Sequence, residues 1–202
     1  ISDNTVEQAN GGGVFVNGGT FTMYGGSINN NKAPHGSGGA ISVENGKIYT
    51  YGGEMNGNSA ANGGAMHIKG STAGKIRNIK AAGNTSSDMG GAIFTETKGL
   101  IEIRDIELSG NKATRGGGIY LKGVENNIYT NIYNVNIHDN SATTKGNNNG
   151  NGGGVFLDGY GTSNQAFSIY DSQIYNNYAD VNGGGIFATE SAMLNLYGGT
   201  IS

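Results

Sequence analysis

The sequence predicts an all-β fold: a right-handed parallel β-helix of about seven three-stranded coils. Three observations carry this expectation. A glycine-led phrase followed by an aliphatic residue, a variable one and usually another aliphatic one begins at residues 11, 38, 63, 90, 116, 152 and 183. The residues that open each apolar run, Val14, Ile41, Met66, Ile93, Ile119, Val155 and Ile186, lie 27, 25, 27, 26, 36 and 31 apart. A near-constant period in this range marks a chain that stacks like turns on itself. Between the glycine phrases, apolar and polar residues alternate, and an asparagine recurs at one position of every repeat.

Each repeat divides into three short strands. The first carries flanking aliphatic pairs such as Val14 and Val16, Ile41 and Val43, or Val155 and Leu157. Side chains alternate across a strand, so these pairs face inward and the residue between them faces out. The second strand alternates in the same way, as in Phe21-Thr22-Met23 and Ile101-Glu102-Ile103. The third is shorter and centres on Ile28, Met55, Ala81, Leu108, Ile137, Ile174 and Ile201. The right hand follows from the crossover preference of parallel strands. Glycines before the first strand supply a corner that needs positive φ or close backbone approach.

The recurring asparagines are Asn4, Asn31, Asn58, Asn84, Asn111, Asn140 and Asn177, with a small residue usually two places later. A carboxamide both donates and accepts, so stacked asparagines are expected to form a structural ladder from coil to coil. The long interval between Asn140 and Asn177 holds two polar insertions, 145–151 and 158–165. Insertions in a solenoid map to surface loops, where binding residues and plain slack are equally at home.

Composition sets the outer bounds. Glycine makes up 39 of 202 residues, yet it is periodic rather than scattered, and the net charge of −3 leaves no basic patch for nucleic acid. Cysteine is absent, which excludes disulfides, zinc–thiolate centres and thiol catalysis. No apolar run is long enough for a membrane span. Both termini read as mid-repeat without an amphipathic cap, so residues 1–202 are expected to be one β-helix domain cut from a longer array. Any export or anchoring signal would then lie outside the chain.

The Gly-Gly-Ala-Ile phrase stands verbatim at 38–41 and 90–93. With the repeat around it, the sequence resembles the chlamydial polymorphic outer-membrane proteins and related adhesin-like β-helix proteins of gut bacteria and methanogenic archaea. The second motif of the chlamydial family, a phenylalanine three residues before an asparagine, is not repeated; isoleucine, methionine or leucine stands there. The broader adhesin-like group is therefore the better match. The resemblance spans the whole chain and implies an extracellular, cell-surface location with a role in adhesion or display. It carries over no catalytic residue.

A β-helix also serves polysaccharide-cleaving enzymes, whose sites need carboxylates gathered in one place. The column after the first strand reads Asn17, Glu44, Lys69, Glu96, Lys122, Asp158, Thr189. Its alternating signs describe a surface ion-pair ladder, worth ~0.2–1 kcal/mol per pair, rather than an acid–base site. His35, His67 and His138 fall in different columns, so no metal site or histidine triad is expected. No cofactor is implied, and the chain is read as not an enzyme.

Two columns are candidates for binding. The outward position of the first strand reads Phe15, Ser42, His67, Phe94, Tyr120, Phe156, Phe187. Apolar residues on a face that should meet water mark a contact surface, so Phe15, His67, Phe94, Tyr120, Phe156 and Phe187 form the candidate contact face. The end of the second strand reads Tyr24, Tyr51, Arg77, Arg104, Tyr133, Tyr170, Tyr197. Arginine and tyrosine in register can stack, and aromatic side chains also suit sugars; tyrosine is equally at home at a half-exposed structural position. The expected role is an extracellular stalk, adhesin or self-assembling fibre. Its partners would be other copies or segments of the same protein, or a host or cell-surface glycan or protein. A filament subunit joined end to end, and a polysaccharide-active enzyme or glycan-binding module, are the alternatives.

Overall fold

A computed structural model describes residues 1–124, 130–146, 149–159 and 165–202. The fold is a parallel β-solenoid in three sheets, and no helix occurs among the described residues. The first sheet stacks Val14–Asn17, Ile41–Glu44, Met66–Gly70, Ile93–Thr97, Ile119–Lys122, Val155–Asp158 and Ile186–Ala188. These seven strands bracket six complete coils. Their register follows the glycine phrases: Val14 pairs with Ile41, Ile41 with Met66, Met66 with Ile93, and onward to Val155 with Ile186.

The second sheet contains two short runs in each coil. Ile101–Arg104 and Glu107–Ser109 make up one such pair, and in the later coils the two runs fuse into Gln165–Tyr175 and Ala192–Ile201. Between them sits a residue in the left-handed region: Asn78, Asp105, Asn134 and Asp171 have φ of 53°, 53°, 48° and 47°. Short polar Asn and Asp side chains tolerate that region. One such residue bends the chain while the coil-to-coil bonds continue on either side. The row of Ile28, Met55, Ala81, Leu108, Ile137 and Ile174, expected as a third sheet, therefore belongs to the second.

The third sheet comes from residues expected to form a corner: Lys32–Ser37, Ser59–Asn62, Thr85–Ser86, Lys112–Ala113, Ser141–Ala142 and Tyr178–Ala179. Strands of two residues contain a single alternation, which is too little for a period-two pattern to show in the sequence.

The glycine corner has a separate reason at each position. The first glycine of the phrase lies at φ between 60° and 73° in all seven copies. The second sits against the next coil: a Cβ on Gly91 would stand 2.0 Å from the carbonyl oxygen of Gly117, and one on Gly39 would stand 2.2 Å from that of Gly64. The third position accepts alanine, as at Ala40, Ala65 and Ala92, each of them fully buried. The core is a column of inward aliphatics, among them Ile41, Met66, Ile93, Ile119 and Val155 from the first sheet and Ile48, Ile76, Ile103 and Ile132 from the second.

The asparagines form a continuous hydrogen-bonded row. Asn84 donates from both its backbone N–H and its Nδ2 to Oδ1 of Asn111, each at 2.9 Å, and Asn111 does the same to Asn140. The second proton on Nδ2 goes to a backbone carbonyl: Asn84 to Met55, Asn111 to Ala81 and Asn140 to Leu108. Both protons and both lone pairs of these buried carboxamides are thus used. The same pattern runs from Asn4 through Asn31 and Asn58, and on to Asn177.

Candidate functional site

The outward column of the first sheet is in register as its sequence implies. Phe94 pairs with His67 and Tyr120, and Tyr120 with Phe156. The rings stack: His67 on Phe94 at 5.2 Å, Tyr120 on Phe156 at 4.5 Å, with Phe94 edge-on to Tyr120 at 5.5 Å and Phe187 tilted against Phe156 at 4.9 Å.

The expectation that this column meets water is corrected at its centre. His67, Phe94, Tyr120 and Phe156 are buried, Phe187 is half-buried, and only Phe15 stands exposed, at 49 %. The cause is the stretch between the third sheet and the glycine corner. Met89 packs on the rings, and the Arg115 guanidinium lies 5.7 Å from the centre of the Tyr120 ring. Asp88 accepts from Nε and Nη2 of Arg115 at 3.1, 2.8 and 2.9 Å, so the ion pair closes a roof over the aromatic column. Tyr120 donates to Asp158 Oδ2 at 2.7 Å. Burial, and then this bond to an anion, push its phenol well above the ordinary tyrosine range.

The charged column beside the rings forms ion pairs across coils. Glu96 receives Lys69 Nζ at 3.6 Å and Lys122 Nζ at 3.7 Å, and its Oε1 lies 3.3 Å from His67 Nε2. On the other side of the ring, His67 Nδ1 lies 3.2 Å from Ser42 Oγ. The imidazole thus bridges the serine hydroxyl of the preceding coil and the carboxylate of the following one, with Nε2 placed to donate to Glu96. The hydrogen bond from His67 holds the Glu96 carboxyl below its ordinary range; burial opposes it, and the charges of His67, Lys69 and Lys122 assist.

Ser42, His67 and Glu96 thus have the connectivity of an acyl-transfer triad, although Glu96 stands outside the column that Ser42 and His67 share. Ser42 is completely buried and His67 is covered by Phe94. A nucleophile must approach substrate, and this hydroxyl has no approach. The row acts as a polar clasp across three coils. Among the described residues no group of three His, Cys, Asp or Glu side chains could hold a metal ion.

The outward column at the end of the second sheet's first run is different. Tyr24, Tyr51 and Tyr197 are exposed, and Arg77, Arg104, Tyr133 and Tyr170 are half-buried. Tyr133, Tyr170 and Tyr197 stack with centres 4.7 and 4.6 Å apart and planes within 13°. Tyr24 and Tyr51 stack at 5.3 Å, and the Arg104 guanidinium lies 5.1 Å from the Tyr133 ring centre. The rings spend their faces on one another, so what they turn to solvent is their edges and hydroxyl groups.

The asparagine ladder lies inside the coil, with Asn31, Asn58, Asn84 and Asn111 fully buried. The two insertions fall in part outside the described residues, at 147–148 and 160–164. Sequence reasoning missed the clasp and the roof. Ser42 and His67 share one column while Glu96 stands two residues along in the next coil, and Asp88 and Arg115 lie in the least regular stretch of the repeat.

The fold defines a β-solenoid repeat protein, and among the described residues no helix is long and apolar enough to cross a membrane. Residues 171–189, around the last coil, match the Chlamydia polymorphic membrane protein (Chlamydia_PMP) repeat. Together, repeat and solenoid fit a polymorphic outer-membrane or autotransporter-like β-helix repeat protein and suggest the repeat region of a surface protein. No curated protein and no solved structure matches the chain.

Proposed function

We propose that this chain is an extracellular rod of a microbial surface protein, which holds an adhesive face away from the cell. The observation that carries the reading is the asparagine row, unbroken from Asn4 to Asn177. A fully bonded internal row beside a continuous apolar core resists bending, because any opening between coils strands buried polar groups. Stiffness is what a spacer needs, and the match to a surface-protein repeat supports the location. The first-sheet rings help to lock the coils, and the partly exposed tyrosine–arginine column is the face available to a partner.

The test uses antibodies raised against the folded chain on the cells that produce it. Labelling of intact cells, lost after brief surface proteolysis, is the expected result. Labelling only after the cells are made permeable would overturn the location.

A further inference from the structure

Charged residues paired in register across coils follow one rule, with one exception. Glu44 faces Lys69, Lys69 faces Glu96, Lys122 faces Asp158, Lys75 faces Glu102, and Lys80 faces both Glu54 and Glu107. Each pair is opposite in sign, as neighbours on adjacent strands should be. Arg77 facing Arg104 is the exception among the described pairs. Two guanidinium groups on neighbouring rungs repel, and the surrounding carboxylates hydrogen-bond only one of them, Arg104 having the longer ion pair with Asp105. Glu102 Oε1 accepts from both Nε and Nη2 of Arg77. The nearest carboxylate oxygen to Arg104 Nε, Asp105 Oδ2, stands 3.8 Å away, and that Nε has no hydrogen-bond partner. The Arg104 side chain is 43 % exposed. A local conflict that the rest of the fold avoids is the mark of a site kept for something else.

We propose that Arg77 and Arg104 form a binding site for an acidic polysaccharide, a glycan chain bearing carboxylate or sulfate groups. Guanidinium groups present planar forks of donors that match such anions. An anion between the two would relieve their repulsion. The flanks favour a chain over a small ion. Tyr51 continues the column on one side and Tyr133, Tyr170 and Tyr197 on the other. Their stacked rings line a row of hydroxyl groups along the rod, beside the half-exposed polar side chains of Asn131 and Ser168. An extended, polyhydroxylated ligand lying parallel to the rod can use the whole row, whereas a free anion meets only the arginines. Lys75, Arg77 and Arg104 outnumber Glu102 and Asp105 by one charge, a local excess on a chain whose net charge is −3.

The proposal deepens the adhesive reading and depends on it for its biological sense. Binding by the isolated chain reports on the site alone, and cell labelling on location alone, so either can fail without the other. Calorimetry would compare polygalacturonate, heparin, neutral dextran, polyaspartate and inorganic sulfate. Either acidic glycan, or both, should bind, which also separates carboxylate from sulfate recognition. Affinity should fall as salt shortens the reach of the charges. Arg104→Gln should cost about tenfold or more in affinity, in line with the loss of a charge-assisted contact, while leaving the melting temperature unchanged or higher because repulsion is removed. Arg104→Lys, which keeps the charge and loses the fork, should weaken binding as well, and it serves if the glutamine variant does not fold. Tyr170→Phe should weaken the polymer without altering sulfate. Unchanged binding in the arginine variants, equal binding of dextran or polyaspartate, or binding of free sulfate alone would overturn the assignment.

Discussion

The Tyr120 hydroxyl donates to Asp158 Oδ2 at 2.7 Å, tying the fifth first-sheet strand to the sixth beneath the Arg115–Asp88 roof. Burial is the larger reason its phenol is hard to ionise, and the bond to Asp158 is the second. The unfolded phenol ionises near 10.0 and the folded one above it. Its contribution is therefore intact below pH 10 and is lost as the pH rises past that value toward the folded one. An alkaline titration followed at 295 nm should show Tyr120 ionising only with loss of the β signal. Tyr120→Phe should remove that late step and cost about 1.5–3 kcal/mol, the usual worth of a hydrogen bond to a charged group. A titration curve identical in the variant would refute this account.

Glu96 gives the acid side of the same argument. Its carboxyl is held below the ordinary 4.5 by the His67 hydrogen bond first and by the nearby cations, against burial. A depressed folded value means stability that is present above about pH 4.5 and is lost as the pH falls through the folded value. The urea midpoint should therefore decline on acidification, and Glu96→Gln should decline less steeply over that window. Parallel pH profiles for the two proteins would show that Glu96 is not a source of the effect.

The register of these residues was legible in the sequence, because a glycine phrase of fixed grammar aligns every column behind it. Val14 over Ile41 and Phe94 over Tyr120 follow from counting alone. What counting cannot supply is the cover. Phe94 and Tyr120 are outward by alternation, yet Met89 and Arg115 close over them from the least patterned stretch of the repeat. The third sheet was hidden for a related reason: Lys112–Ala113 and Ser141–Ala142 are too short to show a period. The Arg77–Arg104 conflict emerges only when all the charged columns are compared in register.

The interior of the asparagine row should be far less tolerant than its end. Asn111→Ala leaves two donors of Asn84 and the carbonyl of Ala81 without partners in a site closed to water. Each stranded group costs about 1–3 kcal/mol, so a loss of at least about 3 kcal/mol is expected by chemical denaturation. Asn4→Ala removes only the exposed end of the row, and Asn31 Oδ1 keeps the bond from the residue 4 backbone N–H. Its cost should stay below about 1 kcal/mol, within the range of surface changes. Equal losses at the two positions would mean that the row adds nothing beyond its separate bonds.

Adjacent positions of one glycine phrase should respond in opposite ways to the same methyl group. A Cβ added at Gly91 would stand 2.0 Å from the Gly117 oxygen and 2.7 Å from the Lys112 backbone nitrogen. Both are backbone atoms of the next coil, so no side chain can turn aside, and relief requires the coils to part. Parting them would also pull on the Asn84–Asn111 bonds of the same two coils. Gly91→Ala should therefore exceed the about 1–3 kcal/mol of ordinary overpacking and yield unfolded or aggregated protein. At Ala92, one place along and fully buried, the existing methyl packs into the core. Ala92→Gly loses that contact and gains unfolded-chain freedom, together about 1–2 kcal/mol, and should still give a cooperative melt. A folded Gly91→Ala protein with near-native stability would show that the coils are spaced by something other than this backbone contact.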